Sequence, residues 1–278
     1  MLLGTNNQGI APLLPIDCET VIFKKNPVED RRMLRALRAR GIDILIDLTD
    51  NASATSSILI RRIRPKVAIG IDKSNAVIYD IVVPRLDPIQ THISRRIAEL
   101  LRPLRIDPER IDLRPQLKLP KQIRVPGRIG INVSAGSGSR YAPAAVYATI
   151  AAKIAEEKGV AEVRILAAPE DLLFAKEVTQ IARNRRVLSQ ESAMSFADFG
   201  SYIGTCSMLI TPDTSIVHLG AAVGVPMVVI FAPIPAGLRY WTPTGVDFEM
   251  MVQSPSLATL EPEPVVALFR KLQLRLLA

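Results

Sequence analysis

The sequence contains few of the residues that bind metals or form disulfides. Its 278 residues include two cysteines, Cys18 and Cys206, and two histidines. The cysteines are far apart in the chain, whereas structural zinc sites use closely spaced pairs of Cys or His ligands. The sequence therefore predicts no structural zinc site, and two isolated thiols are typical of a reducing compartment.

Aromatic residues are also scarce, at 5% of the chain. Proteins that bind single-stranded nucleic acid stack bases on exposed aromatic rings, and no such motif accompanies the basic residues here. We therefore expect no nucleic-acid partner.

A long uninterrupted apolar run is missing as well. The longest apolar stretch, His218–Leu238, contains Gly224 and Pro226 and two further prolines. A helix followed by a buried strand explains this pattern better than a membrane span.

Positive charge is present in excess, and it is unevenly distributed. Through Gly127 the chain has 22 Lys and Arg residues against 14 Asp and Glu, and the remainder has 13 of each. Scattered arginines commonly form an ordinary solvated surface. A basic first half is also suited to an anionic partner, such as a phosphorylated glycolipid or a membrane surface.

Short β-rich segments alternate with helical segments, which favours an α/β fold with parallel sheets. The predicted strands cover residues 21–23, 42–48, 67–71, 79–83, 128–133, 162–167, 207–211 and 227–231. The predicted helices cover residues 27–41, 52–63, 91–104, 143–159, 169–182, 195–204, 214–224 and 263–277.

A proline-rich stretch, Arg114–Gly127, interrupts the alternation and indicates two domains. We predict a first domain over residues 1–120, a linker over 121–127 and a second domain over 128–260. A closing helix is expected over 261–278.

Three loops of the second domain follow predicted strands, where ligands bind in open α/β sheets. The loop Asn132–Arg140 is rich in Ser and Gly, so its backbone can approach a phosphate, and Arg140 offers a fork of donors. Taken alone this signal is weak. Tyr141 stands where a dinucleotide fingerprint needs its third glycine, and no P-loop lysine follows.

The loop after the predicted strand 207–211 leads into an apolar helix. Asp213 or Thr214 is a natural cap for this helix. We expect the N–H groups of Thr214–Ile216 to be unpaired and available to a diphosphate. His218 lies four residues after Thr214, on the same helix face. Alternatively, Asp213 only caps the helix and His218 only packs.

The third loop, Ala168–Asp171, carries two acidic residues. Glu170 could accept hydrogen bonds from ribose hydroxyls. The alternative is a favourable interaction of both acids with the helix N-terminus. The later loop Ala232–Gly245, with the lone Trp241, is a candidate for the pocket that binds adenine.

Several segments together resemble one family. They are "INVSAGSGSRYAPAAVYATIAAKI", "ILAAPEDLLFAKEV", "SAMSFADFGSYIGTCSMLITPDTS" and "ITPDTSIVHLGAAVGVPMVVIFAP". Their order and spacing resemble glycosyltransferase family 9, the ADP-heptose:lipopolysaccharide heptosyltransferases. The resemblance covers most of Arg128–Val252, and "GIDILIDLTDNASATSSILIRRIRPKVAIGID" in the first half is similar more loosely.

The resemblance implies two Rossmann-like α/β domains facing across a cleft, of the GT-B type, with the N-terminal domain lacking its usual first strand and helix. It implies inverting transfer of a heptose or related sugar from an ADP-sugar to a lipopolysaccharide-core acceptor, without a metal or other cofactor. The expected partners are the ADP-sugar and an anionic glycolipid. The expected location is the cytoplasm, with peripheral contact at the inner membrane through the basic N-terminal half.

The resemblance also implies roles for individual residues. The residues implied to act in catalysis are Asp213, Arg140 and His218. The residues implied to bind the ADP-sugar are Ser134, Ala135, Gly136, Glu170, Met194, Thr214 and Ser215.

Two positions depart from the family pattern. The family's first loop supplies an acidic residue as the expected base, but no acid precedes Asp17, and Asp50 and Asp72 are weak substitutes. A shortened chain, a base elsewhere, or an inactive sugar-nucleotide-binding homologue would each explain this. Ser215 stands where the family commonly has glycine, and its N–H still allows anion binding. A nucleotide-sugar epimerase of the same fold is a further alternative, but it would carry a glutamate at the helix start, where this chain has His218.

Overall fold

A computed structural model describes residues 1–136, 138–232 and 241–277 of the chain. They form two compact units, of which the first contains two parallel sheets and the second contains one. The first unit comprises residues 1–8 and 18–113, with Trp241. The second comprises residues 9–17, 114–232 and 242–277.

The first unit contains two small parallel sheets. Strands β1 and β2 pair with each other, and β3, β4 and β5 form a three-stranded sheet with β4 in the centre. Its strands are β1 (Leu2–Gly4), β2 (Val21–Phe23), β3 (Ile44–Ile46), β4 (Val67–Ile71) and β5 (Ile81–Val83), and its α-helices are α1 (Pro27–Ala39), α2 (Ala54–Ile63) and α3 (Ile93–Ala98).

Helix starts in this unit follow capping chemistry. The Asn26 side chain accepts hydrogen bonds from the Val28 and Glu29 N–H groups, so α1 begins at Pro27 as predicted. Ser53 caps α2 by accepting from the Ser56 N–H. Helices α1 and α2 pack against each other.

The second unit contains a six-stranded parallel sheet in the order β11-β10-β9-β6-β7-β8. Its strands are β6 (Arg128–Asn132), β7 (Glu162–Leu166), β8 (Val187–Ser189), β9 (Met208–Pro212), β10 (Met227–Phe231) and β11 (Phe248–Val252). Its α-helices are α4 (Ala144–Ala155), α5 (Leu172–Ala182), α6 (Phe196–Gly204), α7 (Ser215–Ala222) and α8 (Pro262–Leu277).

Burial identifies the centre of this sheet. Every residue of β9 and β10 is buried, as expected for parallel strands covered on both faces. Small residues allow close packing of the helices. At Gly220 in α7, a Cβ would lie 2.9 Å from Met227 Cε, so α7 rests directly on the sheet beneath it.

The structure differs from the sequence prediction at a few elements. The predicted helix 91–104 is α-helical only over Ile93–Ala98 and continues as a 3₁₀-helix over Glu99–Leu104. Pro103 lies in that segment and cannot donate an α-helical hydrogen bond. Strands β1, β8 and β11 were not predicted. Among the described helices, none is long and apolar enough to cross a membrane.

Candidate functional site

The candidate site lies at the carboxyl edge of the second unit's sheet. Strands β9, β6 and β7 are parallel neighbours, so their carboxyl ends meet at one edge. The three loops singled out in the sequence follow these three strands. The topology therefore brings the three loops together, although they are far apart in the chain.

A cavity of about 470 Å³ opens between these loops, a volume typical of small-molecule sites. Eight of the ten residues predicted for the site line it: Ser134, Ala135, Gly136, Arg140, Glu170, Met194, Thr214 and Ser215. Ser137, within the first loop, lies outside the described residues.

Asp213 and His218 are not among the lining residues. Asp213 directly follows β9 and is buried, and its N–H donates to the Ile230 carbonyl over 3.0 Å. His218 is half-buried in α7, four residues after Thr214.

Arg140 connects the first loop to the second. Its Nη1 donates to the Asp213 carbonyl over 2.7 Å and lies 3.5 Å from Asp213 Oδ2. Burial raises the pKa of the Asp213 carboxyl above its ordinary value, and the Arg140 charge opposes that rise. The guanidinium is itself about one-third exposed, so it can still contact a ligand in the cavity.

The start of α7 differs from the prediction in one respect. Thr214 is the cap, and its Oγ1 accepts the Ile216 N–H over 3.2 Å. The prediction that the Ile216 N–H is unpaired is therefore wrong, because the cap side chain occupies it. The Thr214 and Ser215 N–H groups donate to no other described residue. Two backbone donors, not three, are available here.

Asn132 was not predicted as a site residue, but it organises the cavity floor. Its side chain is buried, donates to Thr211 Oγ1 over 3.0 Å and to the Ser134 carbonyl over 3.2 Å, and accepts from the Ser134 N–H. These bonds join the ends of β6 and β9. An amide at the last position of a buried strand was the signal available in the sequence.

A second set of bonds fixes the loop after β7. The Ala168 N–H donates to Ser134 Oγ over 2.7 Å. The buried Gln190 side chain accepts from the Ala167 N–H and donates to the Ala167 carbonyl, each over 2.9 Å. Ser134 is therefore used partly in holding the neighbouring loop.

The third loop is anchored by its second acid. Asp171 Oδ2 accepts from the Tyr141 hydroxyl over 2.9 Å, and the Tyr141 ring meets Phe174 edge-on at 6.3 Å. Burial and then this hydrogen bond raise the pKa of Tyr141. Glu170 remains exposed at the cavity, so the two adjacent acids have separate surroundings.

Part of the cavity wall is apolar. Phe196, Phe199, Met194 and Ile216 contribute side chains there, and of these only Met194 was predicted. Such a wall, beside polar groups on the other loops, suits a ligand with one flat apolar part and one anionic part. The loop predicted to bind adenine, Ala232–Gly245, lies largely outside the described residues.

The two acids considered as alternative catalytic bases, Asp50 and Asp72, lie in the first unit. Asp50 is buried, and its carboxylate contacts Arg96 Nη1 at 2.8 Å and Arg85 Nη2 at 2.9 Å. Asp72 is exposed, immediately after β4. Asp50 is therefore not held ready for proton transfer, because two guanidinium groups bind it.

Another polar cluster follows β3 and β4. The Asp47 carboxylate accepts from Lys73 Nζ over 3.1 Å and from the Tyr79 hydroxyl over 2.6 Å, and also from Thr49. Burial opposes ionisation, but these hydrogen bonds lower the pKa of Asp47 overall. Burial, followed by the bond to Asp47, raises the pKa of Tyr79. In the described part of the chain, no group of three potential ligands is placed to hold a metal ion.

Comparison with solved structures identifies this fold. A glycosyl transferase of family 9 from Veillonella parvula is 17% identical, with a TM-score of 0.77 over 99% of this chain and 87% of that one. E. coli ADP-heptose LPS heptosyltransferase II is 16% identical, with a TM-score of 0.70 over 100% and 89%. E. coli heptosyltransferase WaaC with ADP is 17% identical, with a TM-score of 0.69 over 90% and 79%.

These likenesses confirm the predicted α/β class with parallel sheets, and the fold is the GT-B fold of these heptosyltransferases. No curated protein sequence matches the chain. The model of glycosyltransferase family 9 (heptosyltransferase) matches residues 30–245, which include every residue of the candidate site. The resemblance predicted from the sequence motifs is therefore confirmed: the chain belongs to glycosyltransferase family 9, the heptosyltransferases.

Proposed function

We propose that the chain transfers a heptose or related sugar from an ADP-sugar to a lipopolysaccharide-core or similar glycan acceptor, with inversion at the anomeric carbon. The observation that carries this proposal is the cavity at the edge of β9, β6 and β7. It combines backbone donors at the start of α7, the Arg140 guanidinium and an apolar wall. E. coli heptosyltransferase WaaC, solved with ADP and with an ADP-2-deoxy-2-fluoro heptose, has the same fold.

In this proposal the diphosphate lies between two loops. The Thr214 and Ser215 N–H groups and the positive end of α7 bind it from one side, and Arg140 binds it from the other. Ser134, Ala135 and Gly136 line the approach to it. Glu170, which is exposed at the cavity, accepts hydrogen bonds from the ribose, and Met194 contacts the adenine ring.

The reaction makes the acceptor oxygen–C1 bond and breaks the bond between C1 and the donor phosphate oxygen. The leaving ADP takes the bonding electron pair, and the proton of the acceptor hydroxyl is released to solvent. Negative charge grows on the diphosphate as the bond breaks. Donors fixed around it therefore bind the transition state more tightly than the ground state. Asp213 positions Arg140 through the contacts described above, and His218 supports the helix start.

The acceptor is proposed to be an anionic glycolipid, and the protein is proposed to act in the cytoplasm with peripheral contact at the inner membrane. Two features support this: the excess of positive charge in the first 127 residues, and the absence of a membrane-spanning helix among the described residues. The family match supports a glycan-transferring activity in general.

The test is turnover of ADP-heptose with a lipopolysaccharide-core acceptor, measured for two variants. Asp213→Ala and Arg140→Ala are each expected to lower transfer by about 10²–10³-fold, the usual effect of removing a transition-state donor or the group that positions it. Arg183→Ala is the matched control, because Arg183 is an exposed arginine of the same unit. Turnover unchanged in both site variants would refute this site.

The alternative is an inactive homologue that binds sugar nucleotides. It is favoured by one observation: the Asp50 carboxylate, a candidate for the catalytic base, is bound by the guanidinium groups of Arg85 and Arg96. Calorimetry with ADP and ADP-heptose, run beside the turnover assay, separates the two proposals. Binding that is weakened by Arg140→Ala, without turnover in the unchanged protein, would support the inactive homologue.

A further inference from the structure

Two neighbouring helices of the first unit carry a dense set of arginines. Helices α1 and α2 pack against each other, and each presents basic side chains to solvent. We call the following seven exposed residues the arginine face: Arg31, Arg32, Arg35, Arg38, Arg61, Arg62 and Arg64.

The spacing of these residues concentrates their charge. Arg31, Arg35 and Arg38 are separated by four and three residues, so they lie along one side of α1. The buried or half-buried positions of α1 are Asp30, Met33, Leu34 and Leu37, and they centre on a different side of the helix. The helix is therefore amphipathic, with guanidinium groups as its outer surface.

The arginine face has little compensating negative charge. From residue 24 to residue 66 the sequence has eleven Lys and Arg residues and five Asp and Glu. Three of these acids, Asp30, Asp47 and Asp50, are buried. Glu29 and Asp43 pair with two lysines, at 2.7 Å in each case.

The seven arginines themselves form no ion pair with any residue in the described part of the chain. Neighbouring guanidinium groups without compensating charge repel one another, and an external array of negative charge removes that repulsion. The arginine face is thus suited to a surface that presents many anionic groups at once.

The composition of the face distinguishes between anionic partners. Neither α1 nor α2 contains an aromatic residue, so bases have no ring on which to stack. Val28 and Ile58 are exposed among the basic residues, at 64% and 57%. Isolated apolar side chains beside arginines are typical of helices that lie at a lipid headgroup boundary.

We propose that the arginine face of α1 and α2 is the surface by which this protein binds anionic phospholipid bilayers. This inference rests on the proposed function in one respect, that a glycolipid acceptor resides in such a bilayer. It assigns the contact to seven residues of the first unit, outside the donor cavity. Binding depends on headgroup charge and falls as salt screens it.

The experiment is cosedimentation of the full chain with vesicles. One set is phosphatidylcholine alone, and the other is an equal mixture of phosphatidylcholine and phosphatidylglycerol. Wild-type protein is expected to bind the mixed vesicles at low salt and to be released at high salt. The triple variant Arg31→Gln/Arg35→Gln/Arg38→Gln is expected to bind the mixed vesicles on the order of 100-fold more weakly.

The matched control is Lys176→Gln/Arg183→Gln/Arg185→Gln, which removes the same charge from exposed positions of the second unit. It is expected to retain most of the vesicle binding. Circular dichroism and ADP affinity of both variants check that they are folded. Vesicle binding needs neither donor nor turnover, so its outcome is independent of the turnover assay.

Three results would overturn the proposal. The first is no preference of the wild type for the anionic vesicles. The second is an equal loss of binding in the two triple variants, which would mean that net charge alone is responsible. The third is tighter binding of the arginine face to duplex DNA than to the vesicles at the same salt concentration, which would indicate nucleic acid as the partner.

Discussion

The two units place polar residues at the carboxyl edge of a parallel sheet in opposite ways. In the first unit, Asp47 after β3 and Lys73 after β4 pair with each other, and their side chains are 6% and 2% exposed. In the second unit, Arg140 and Thr214 stand at the corresponding edge, and both line an open cavity. Position in the fold is therefore the same, but the surroundings differ.

The difference shows which polar groups are available to a ligand. The Lys73 ammonium group has three acceptors for its three hydrogens: Asp47 Oδ2, the Thr49 carbonyl and Thr49 Oγ1. In the second unit, the Thr214 and Ser215 N–H groups have no acceptor among the described residues. A satisfied polar cluster stabilises the fold, whereas an unsatisfied one at a cavity is free to bind.

The largest effect is expected from Lys73→Met. The change leaves the Asp47 carboxylate buried without its charged partner, which costs about 3–5 kcal/mol in the free energy of unfolding. Urea denaturation of the first unit measures this loss. ADP affinity, which depends on the second unit, should remain the same under native conditions.

Lys66→Met is the control for that change. Lys66 also pairs with an aspartate, Asp43, at 2.7 Å, but both side chains are 75% exposed. Surface pairs contribute little because water already solvates both charges. A loss of stability in Lys66→Met equal to that in Lys73→Met would show that burial is not the cause.

Two glycine substitutions give a smaller effect and separate the units further. A Cβ at Gly70 in β4 would overlap the Tyr79 ring, so Gly70→Ala is expected to cost about 1–3 kcal/mol of stability. A Cβ at Gly136 would meet no protein atom within 4 Å. Gly136→Ala should keep its stability but lower ADP affinity by about tenfold, roughly 1.4 kcal/mol, because the methyl group takes space beside the diphosphate.

Thermal unfolding and calorimetry of these two variants provide the measurements. Loss of stability in Gly136→Ala, or unchanged affinity for ADP, would mean that the loop does not approach the ligand closely.

The smallest effect concerns pH. Burial raises the folded-state pKa of Asp213 above its ordinary value of 3.8, so ionisation of this group destabilises the fold. The destabilisation is absent below the unfolded-state pKa, develops as pH rises through the folded-state pKa, and is complete above it. Asp213→Asn removes it. The variant should therefore be slightly more stable than the wild type at neutral pH and equal to it in acid.

Urea denaturation at several pH values tests this. A variant less stable than the wild type at neutral pH would show that the contact with Arg140 outweighs the burial of Asp213.

Much of the second unit could be predicted from sequence because its signals are local. β10 and α6 lie where the apolar pattern and the Ser195 cap placed them. Strand β11 could not be predicted, since it contains Glu249, which is buried. Its carboxylate is neutralised by Lys271 and Arg275 of α8, more than twenty residues away. No local sequence pattern predicts ion pairs between residues so far apart in the chain.

The same distinction applies to the candidate site. The lining residues on the three loops carry family motifs and turn chemistry, so they could be selected in advance. Gln190 and Phe196 could not, because their importance comes from neighbours distant in the chain, such as Ala167 for Gln190. The pairing of the Ile216 N–H depended on the rotamer of Thr214, which sequence does not specify.

The bonds beneath the cavity have a consequence for binding entropy. The Ala167 and Ala168 amides, although outside any strand or helix, donate to Gln190 Oε1 and Ser134 Oγ. We expect both amides to exchange slowly with deuterium in the ligand-free protein, and their rates to change little when ADP is added. This part of the site is already ordered, so a nucleotide can bind to it without the conformational cost of ordering a flexible loop.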